Sequence, residues 1–418
     1  MVSRSVRLES SSMTATLPID GSFPASQNSP MSFSGRGGEF LKLLIAGSVF
    51  QIPTFGFYRF WLITKVRRHL WANTQVDGEA FEYTGTAKEL LIGFLIALAV
   101  LVPLYIAYAI LGIILEEKYA FASVPLVAIM YVLAHFGTYR ARKYRASRTI
   151  FRGVRFWMKG SGWAYAFRAI LWDLATLLSL GLALPWAMAS LERYRMRHTY
   201  FGSIQGDFAG TGWSLFKRGW WIWALGLVLL ICSLLLAVVL AKSSGASREA
   251  RLQLSIVLMI LSVVALLPLA MAVFTRWHID GLRFGDVSAT STFRAGTYYA
   301  LFFKLIFSSL GFLIAFSVVV GLIAFLFAFL FRGALAKLET LSLASISVGL
   351  LTVIGYLIAL LGIGVLNRYF LGRGLWAAIV TSTTIANLQS VDAVVAAGQP
   401  AGVLGEGLAD ALDFNVGI

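Results

Sequence analysis

The chain is poor in charge. Of its 418 residues only 13% are Asp, Glu, Lys or Arg, against 58% apolar or aromatic. An ordinary soluble domain carries roughly 25% charged residues. A soluble protein of this size could not bury so much apolar surface, and the mean hydropathy of +0.78 agrees. Composition therefore excludes a soluble enzyme and a disordered chain. Cysteine is nearly absent: Cys232 alone excludes a disulfide scaffold. Acidic residues are scarce as well, 20 against 35 basic, for a net charge of +15. On a soluble protein such an excess points to nucleic acid. On an apolar chain it points to a cytoplasmic membrane face and anionic headgroups, so no nucleic-acid partner is expected.

Chemical motifs are missing too. There is no HExxH, and the four histidines, His69, His135, His198 and His278, stand in or near basic turns. A metal site is not expected. The run Gly35-Arg36-Gly37-Gly38 lacks the Gly-Lys-Ser/Thr ending of a phosphate loop. No nucleophile, base and orienter assemble, so the chain reads as a non-enzyme with no cofactor.

What is present is apolar length. Six segments, near 88–115, 121–139, 214–241, 253–275, 297–331 and 345–370, reach the roughly 20 residues that cross a bilayer. Two more, 38–64 and 163–191, break at Pro53-Thr54-Phe55-Gly56 and at Gly181-Leu182-Ala183-Leu184-Pro185. Each half is short for a span, so each pair either dips in and returns or makes two short crossings. The expected fold is an all-α polytopic membrane protein with small β-hairpins. Basic residues crowd one set of connections: Lys65–Arg68, Arg140–Lys159, Arg193–Arg197 and Arg276–Arg294. The positive-inside bias places these, and both termini, in the cytoplasm of a bacterial inner-membrane protein.

The connections repeat. A shift of 75 residues matches Thr74 to Thr149, Gly78 to Gly153 and Gly85 to Gly160; a shift of 125 matches Trp61 to Trp186, Arg68 to Arg193, Thr74 to Thr199 and Gly85 to Gly210. A shift of 83 from the third copy reaches a fourth, read with Asp280-Gly281 as its Asp-Gly turn, and a weaker fifth runs from Asn367 to Leu388. Each unit reads as a helix with an Arg/Lys-rich last turn, a hairpin signalled by Asp-Gly, and a helix capped by Thr. The hairpins either pair into a small sheet or remain interfacial turns. At larger scale the expectation is two parallel blocks, 34–161 and 162–295, about a pseudo-two-fold axis. A disordered tail (1–33), a final span pair with the fifth copy (296–389) and an acidic tail (390–418), with a helix around Leu408–Leu412, complete the chain.

Gly38-Glu39-Phe40, then Thr54, Gly56, Tyr58 and Trp61, then Arg68, Asn73-Thr74, Gly78, Phe81, Tyr83 and Gly85 form an ordered signature. It resembles that of the YjgN-like bacterial inner-membrane proteins, a family defined as a domain of unknown function. The resemblance covers roughly 34–415. It implies a multi-pass inner-membrane protein and hints at a partner such as a membrane zinc peptidase, but carries no activity.

Candidate residues follow from depth. Asp173 and Arg168 lie inside the apolar stretch 163–191, where a charge marks a site by default. Five residues apart, they are not helical neighbours, so Asp173 needs another partner. The repeat residues Trp61, Arg68, Thr74, Gly78, Gly85, Trp186, Arg193, Thr199 and Gly210 read as turn-formers and headgroup contacts. Two function classes remain. One is a transporter, channel or lipid-handling protein, supported by the broken helices and Asp173. The other is a non-catalytic scaffold or partner subunit.

Overall fold

The computed structural model describes residues 28–114, 124–242, 247–330, 343–398 and 400–402. Most of the expected tail (1–27) and the helix expected around Leu408–Leu412 lie outside them. The helices are α1 (Gly37–Gln51), α2 (Arg59–Ala72), α3 (Ala87–Ile114), α4 (Val124–Ser147), α5 (Gly162–Leu178) and α6 (Leu184–Arg197). There follow α7 (Gly212–Lys242), α8 (Arg248–Gly281), α9 (Ala295–Leu330) and α10 (Leu343–Asn367). A π-helical stretch, Arg368–Gly374, then leads into α11 (Leu375–Thr381).

Between the helical pairs lie eleven short strands: β1 (Asn28–Phe33), β2 (Thr74–Val76), β3 (Glu79–Ala80), β4 (Glu82–Tyr83), β5 (Thr149–Phe151) and β6 (Val154–Met158). The rest are β7 (Thr199–Phe201), β8 (Ile204–Phe208), β9 (Leu282–Phe284), β10 (Val287–Ser291) and β11 (Thr383–Ala386). They form one antiparallel sheet, ordered β3-β2-β1-β11-β10-β9-β8-β7-β6-β5-β4. β3 and β4 are successive parts of one extended run joined through Phe81, so the two ends of that order meet and the sheet closes into a ring. This corrects the all-α expectation. A lone hairpin is marginal in water; here each hairpin is flanked on both sides, which removes its edges.

The ring is built from five units. Four are hairpins with two-residue turns: Val76 pairs with Glu79, Phe151 with Val154, Phe201 with Ile204 and Phe284 with Val287. The fifth is divided between the chain ends, because β1 pairs with β11 on one side and β2 on the other. Residues 28–33, expected as the end of a polar tail, are therefore structural. The seams between units carry the same bond five times. Ser34 N donates to Asn73 O at 3.0 Å, Thr84 N to Arg148 O at 2.9 Å, and Lys159 N to His198 O at 2.8 Å. Ala209 N donates to Gly281 O at 2.8 Å and Thr292 N to Ser382 O at 2.9 Å. Five units of this kind make up the ring.

Local chemistry explains the turns. Asp77 and Gly78 have φ of 53° and 81°, and Arg152 and Gly153 have 49° and 73°. Both residues of a type I′ turn need positive φ, which glycine adopts at no steric cost. The fourth turn is not at Asp280-Gly281. Asp280 ends α8 with its carboxylate held by Arg218 at 2.9 Å and by Ser291 N–H at 3.0 Å. The turn lies five residues on, where Gly285 has φ of 57°.

Each unit's helix enters its first strand and the next helix leaves its second. All helices therefore lie on one side of the ring and all turns on the other. Among the described residues five helical segments are long and apolar enough to cross a bilayer: Ala87–Leu111, Gly212–Val239, Leu252–Gly281, Ala295–Leu326 and Thr352–Thr381. The expected span at 121–139 is not among them. Its helix, α4, is described from Val124 and turns basic at Arg140, Arg142, Lys143 and Arg145. The pairs α1–α2 and α5–α6 leave and rejoin the same ring. At 1.5 Å per residue the 15 residues of α1 reach only about 22 Å, short of a roughly 30 Å hydrocarbon core. Their turns project apolar tips, with Phe55 92% and Leu180 80% exposed.

Candidate functional site: the lumen of the strand ring

Strand alternation sends one set of side chains into the ring. The residue two positions into each first strand is apolar in all five units: Val76, Phe151, Phe201, Phe284 and Ile385. Phe81, Phe156, Ala289 and Met31 occupy the equivalent place on four of the returning strands. Together they line a cavity of about 680 Å³. That is within the range that holds a small organic ligand. The far mouth is covered by the segment after β11. Leu388 and Val391 are buried and pack against Val76, Phe151 and Phe201. Arg152 ties this cover down, contacting Asp392 and Glu79 at 2.6 Å each.

The membrane-side end differs in kind. The C-terminal parts of α4 and α8 bring Arg142, Arg145 and His278 to the cavity wall. Behind them stands Glu192 of α6, only 1% exposed. Arg142 grips it with two bonds of 2.7 and 3.2 Å, Arg195 meets it at 2.5 Å, and His278 Nε2 lies 3.9 Å away. Burial alone would raise this carboxyl, but the Arg142 and Arg195 guanidiniums outweigh it and hold the pKa at about 2. Thr74 and Thr149 join the wall and bind it together. Trp376 Nε1 donates to Thr74 Oγ1 at 2.9 Å, and Trp71 Nε1 donates to Thr149 Oγ1 at 3.0 Å. The Trp71 and Trp376 rings stack at 4.8 Å.

The repeat residues turn out to be joints of the ring. Thr74 and Thr199 donate to the carbonyls four residues earlier, Leu70 and Arg195, at 2.8 Å each, closing their helices. Arg68 and Arg193 bond the carbonyls of Gly85 and Gly210 at 2.9 and 3.0 Å, pinning each strand exit to the incoming helix. Gly78 makes its turn. Thr86 and Glu89 form a reciprocal cap on α3, each N–H donating to the other's side chain at 3.3 Å. Trp61 stacks on Tyr58 at 6.1 Å, and Trp186 packs on Phe216 at 5.5 Å.

Asp173 and Arg168 have separate partners. Asp173 Oδ2 accepts from Tyr131 Oη at 2.6 Å and lies 3.0 Å from His135 Nε2, both on α4. Arg168 lies over the Tyr194 ring at 4.5 Å. Among the described residues no group of three or more His, Cys, Asp or Glu could hold a metal ion. Sequence reading missed Glu192, Arg142 and His278 as a cluster, and missed the lumen. A signal was present: the apolar residue two places after each repeated Thr, or after Leu282 in the fourth copy.

Apolar membrane-length helices alternating with hairpins that close one ring define the class: a helical membrane protein with a strand ring on one side of its helices. The chain belongs to the family described as bacterial protein of unknown function (DUF898), whose model matches residues 28–256. The likeness to the YjgN-like proteins holds. The chain is 24% identical over 143 residues to the "Inner membrane protein YjgN" of Salmonella typhimurium, covering 34% of each chain. It is 29% identical over 143 residues to that of Escherichia coli O157:H7, covering 33% of this chain and 34% of the relative. The matched stretch thus spans about a third of the relatives' length. No solved structure matches the chain.

Proposed function

We propose that this is a multi-pass protein of the bacterial inner membrane that holds an amphiphile in the lumen of its strand ring, and so handles lipid rather than catalysing a reaction. The ring and both described chain ends face the cytoplasm in this reading. Support for the location comes from the relatives' names and from the basic helix ends that meet the ring, which suit the cytoplasmic leaflet. The observation that carries the function is the roughly 680 Å³ cavity, walled by phenylalanine, valine and methionine and opening toward arginines at the membrane side. Large apolar cavities favour apolar occupants, since water needs several polar partners to settle there. A scaffold would be better served by a filled ring.

The test is purification in mild detergent from native membranes, followed by mass spectrometry of bound small molecules. The wild type is expected to carry a specific amphiphile. Ala289→Trp, which fills the lumen, is expected to lose it at equal protein yield. A wild type bearing no amphiphile but a stoichiometric protein partner, such as a zinc peptidase, would replace this reading with the scaffold one.

A further inference from the structure

We infer that residues 388–395 form a hinged cover on the far mouth of the lumen, latched by Arg152, and that an apolar chain held in the lumen enters and leaves by that mouth when the latch opens. This rests on the lumen reading above and adds its route of access. Three observations point to it.

The first is how the cover is attached. β11 ends at Ala386, and Asn387 turns the chain away with φ of 60°, a left-handed conformation that Asn adopts more readily than most residues. Beyond it the backbone bonds run within the segment. Ser390 N donates to Asn387 O, Asp392 N to Gln389 O and Val394 N to Val391 O, each at 3.1 Å. The pairing of β11 with β1 and β10 stops at Ala386. The segment therefore swings about Asn387 without breaking the sheet.

The second is the latch. Arg152, in the turn between β5 and β6, meets three carboxylates: Glu79 and Asp392 at 2.6 Å each and Asp77 at 3.8 Å. Asp77 and Glu79 belong to the β2–β3 hairpin and stay with the ring, whereas Asp392 belongs to the cover. When Asp392 leaves, the guanidinium keeps Glu79. The Asp392 carboxylate, already more than half exposed, passes to water. Neither charge is stranded, so opening avoids the penalty of an unpaired buried ion.

The third is what the cover hides. Leu388 and Val391 border the cavity and pack on Val76, Phe151 and Phe201, three of the five inward residues of the first strands. Lifting the cover bares that apolar wall at the far mouth, and a chain lying in the lumen meets the same three side chains. The outer rim of the cover rests on the turn between β7 and β8, where Val395 N lies 3.4 Å from Ser203 Oγ. Val395 itself is exposed.

The experiment measures release of radiolabelled oleate to albumin from the full chain in phosphatidylcholine nanodiscs. In a Cys232→Ser background, Ser203→Cys and Val395→Cys place two thiols across the rim, where a short reducible bis-thiosulfonate linker joins them. The linked protein is expected to release oleate at least about tenfold more slowly than the same protein after reduction, because the opening of a lid then limits exchange. Comparison with the reduced form separates the lock from any effect of the substitutions on folding. Asp392→Ala is expected to speed release roughly two- to fivefold, the scale of one exposed ion pair. Added salt is expected to speed release from the wild type and to leave Asp392→Ala unchanged, because it screens the latch.

The outcomes separate the two claims. If the linked and reduced proteins release oleate at one rate, or Asp392→Ala releases it no faster than the wild type, the cover inference fails while the lumen stands. If the reduced protein retains no oleate, the lumen reading fails and the cover inference fails with it.

Discussion

Removing β1 should open the ring. The strand pairs through Asn28, Ser29 and Pro30 with β11 and through Met31, Ser32 and Phe33 with β2. It is followed by the seam bond from Ser34 N to Asn73 O. Each backbone bond lost costs a net ~0.5–1.5 kcal/mol. Met31 and Phe33 pack, partly buried, against the lumen and the α1–α2 core, so each contributes less than the about 1.5–3 kcal/mol of a fully buried side chain of this size. The sum, roughly 5–10 kcal/mol, rivals the whole stability of a typical domain, about 5–15 kcal/mol. The assay compares melting midpoints in mild detergent for the full chain, a chain starting at Asn28 and one starting at Ser34. The chain from Asn28, which keeps β1, is the reference. The chain from Ser34 is expected to melt far lower or to fail to accumulate. Equal melting of all three would refute the closed ring, because residues 28–33 would then be the polar tail that composition suggests.

Glu192→Gln leaves the half-buried Arg142 and Arg195 without their carboxylate, and losing such charge-assisted hydrogen bonds costs about 1.5–3 kcal/mol, readable as a lower melting midpoint. The same residue sets an acid limit. Its folded pKa of about 2 lies below the ordinary value near 4.3, so its stabilisation is full above pH ~4.5 and is lost as pH falls toward 2. A melting curve flat from pH 7 to 3 would contradict this assignment. Gly153→Val places a β-branched residue at φ of 73° and should destabilise by roughly 1–3 kcal/mol, whereas Ser203→Val, whose position shows no positive φ, should not. Asp173→Asn keeps the shape but removes the charge beside His135. It should change melting by no more than about 1 kcal/mol if Tyr131 still donates, and a collapse of the fold would show that the charge holds α4 to α5.

Much of the unit was legible in the sequence, and little of the assembly. The helices, both broken pairs and the Asp77-Gly78 turn follow from local rules: apolar length, glycine at positive φ, and Thr86 with Glu89 three residues on. Of the five motif copies read in the sequence, three are tied by Thr74, Thr149 and Thr199, which keep one offset to their turns. The ring was hidden because its strands are two to six residues long, too brief for a convincing alternation, and because closure joins β1 to β11 across most of the chain. Asp280-Gly281 misled because Asp-Gly is a turn signal, yet tertiary bonds to Arg218 and Ser291 hold it in a helix end. The site was hidden for a related reason. Arg142, Glu192 and His278 come from three helices, whose C-terminal halves meet only where they join the ring. Asp173 was singled out for its depth, but its partner Tyr131 lies 42 residues away, beyond any local pattern.

The central claim, a lumen that holds an amphiphile, is tested most directly by cysteine protection. In a Cys232→Ser background, Ala289→Cys places a thiol in the lumen, while Ser288→Cys on the same strand points outward by alternation. After delipidation, maleimide labelling of the cysteine at 289 is expected to slow in a saturable way as oleate or lysophosphatidate is added. Labelling at 288 is expected to stay constant. Equal rates at 289 with and without amphiphile, or equal protection at both positions, would contradict the account.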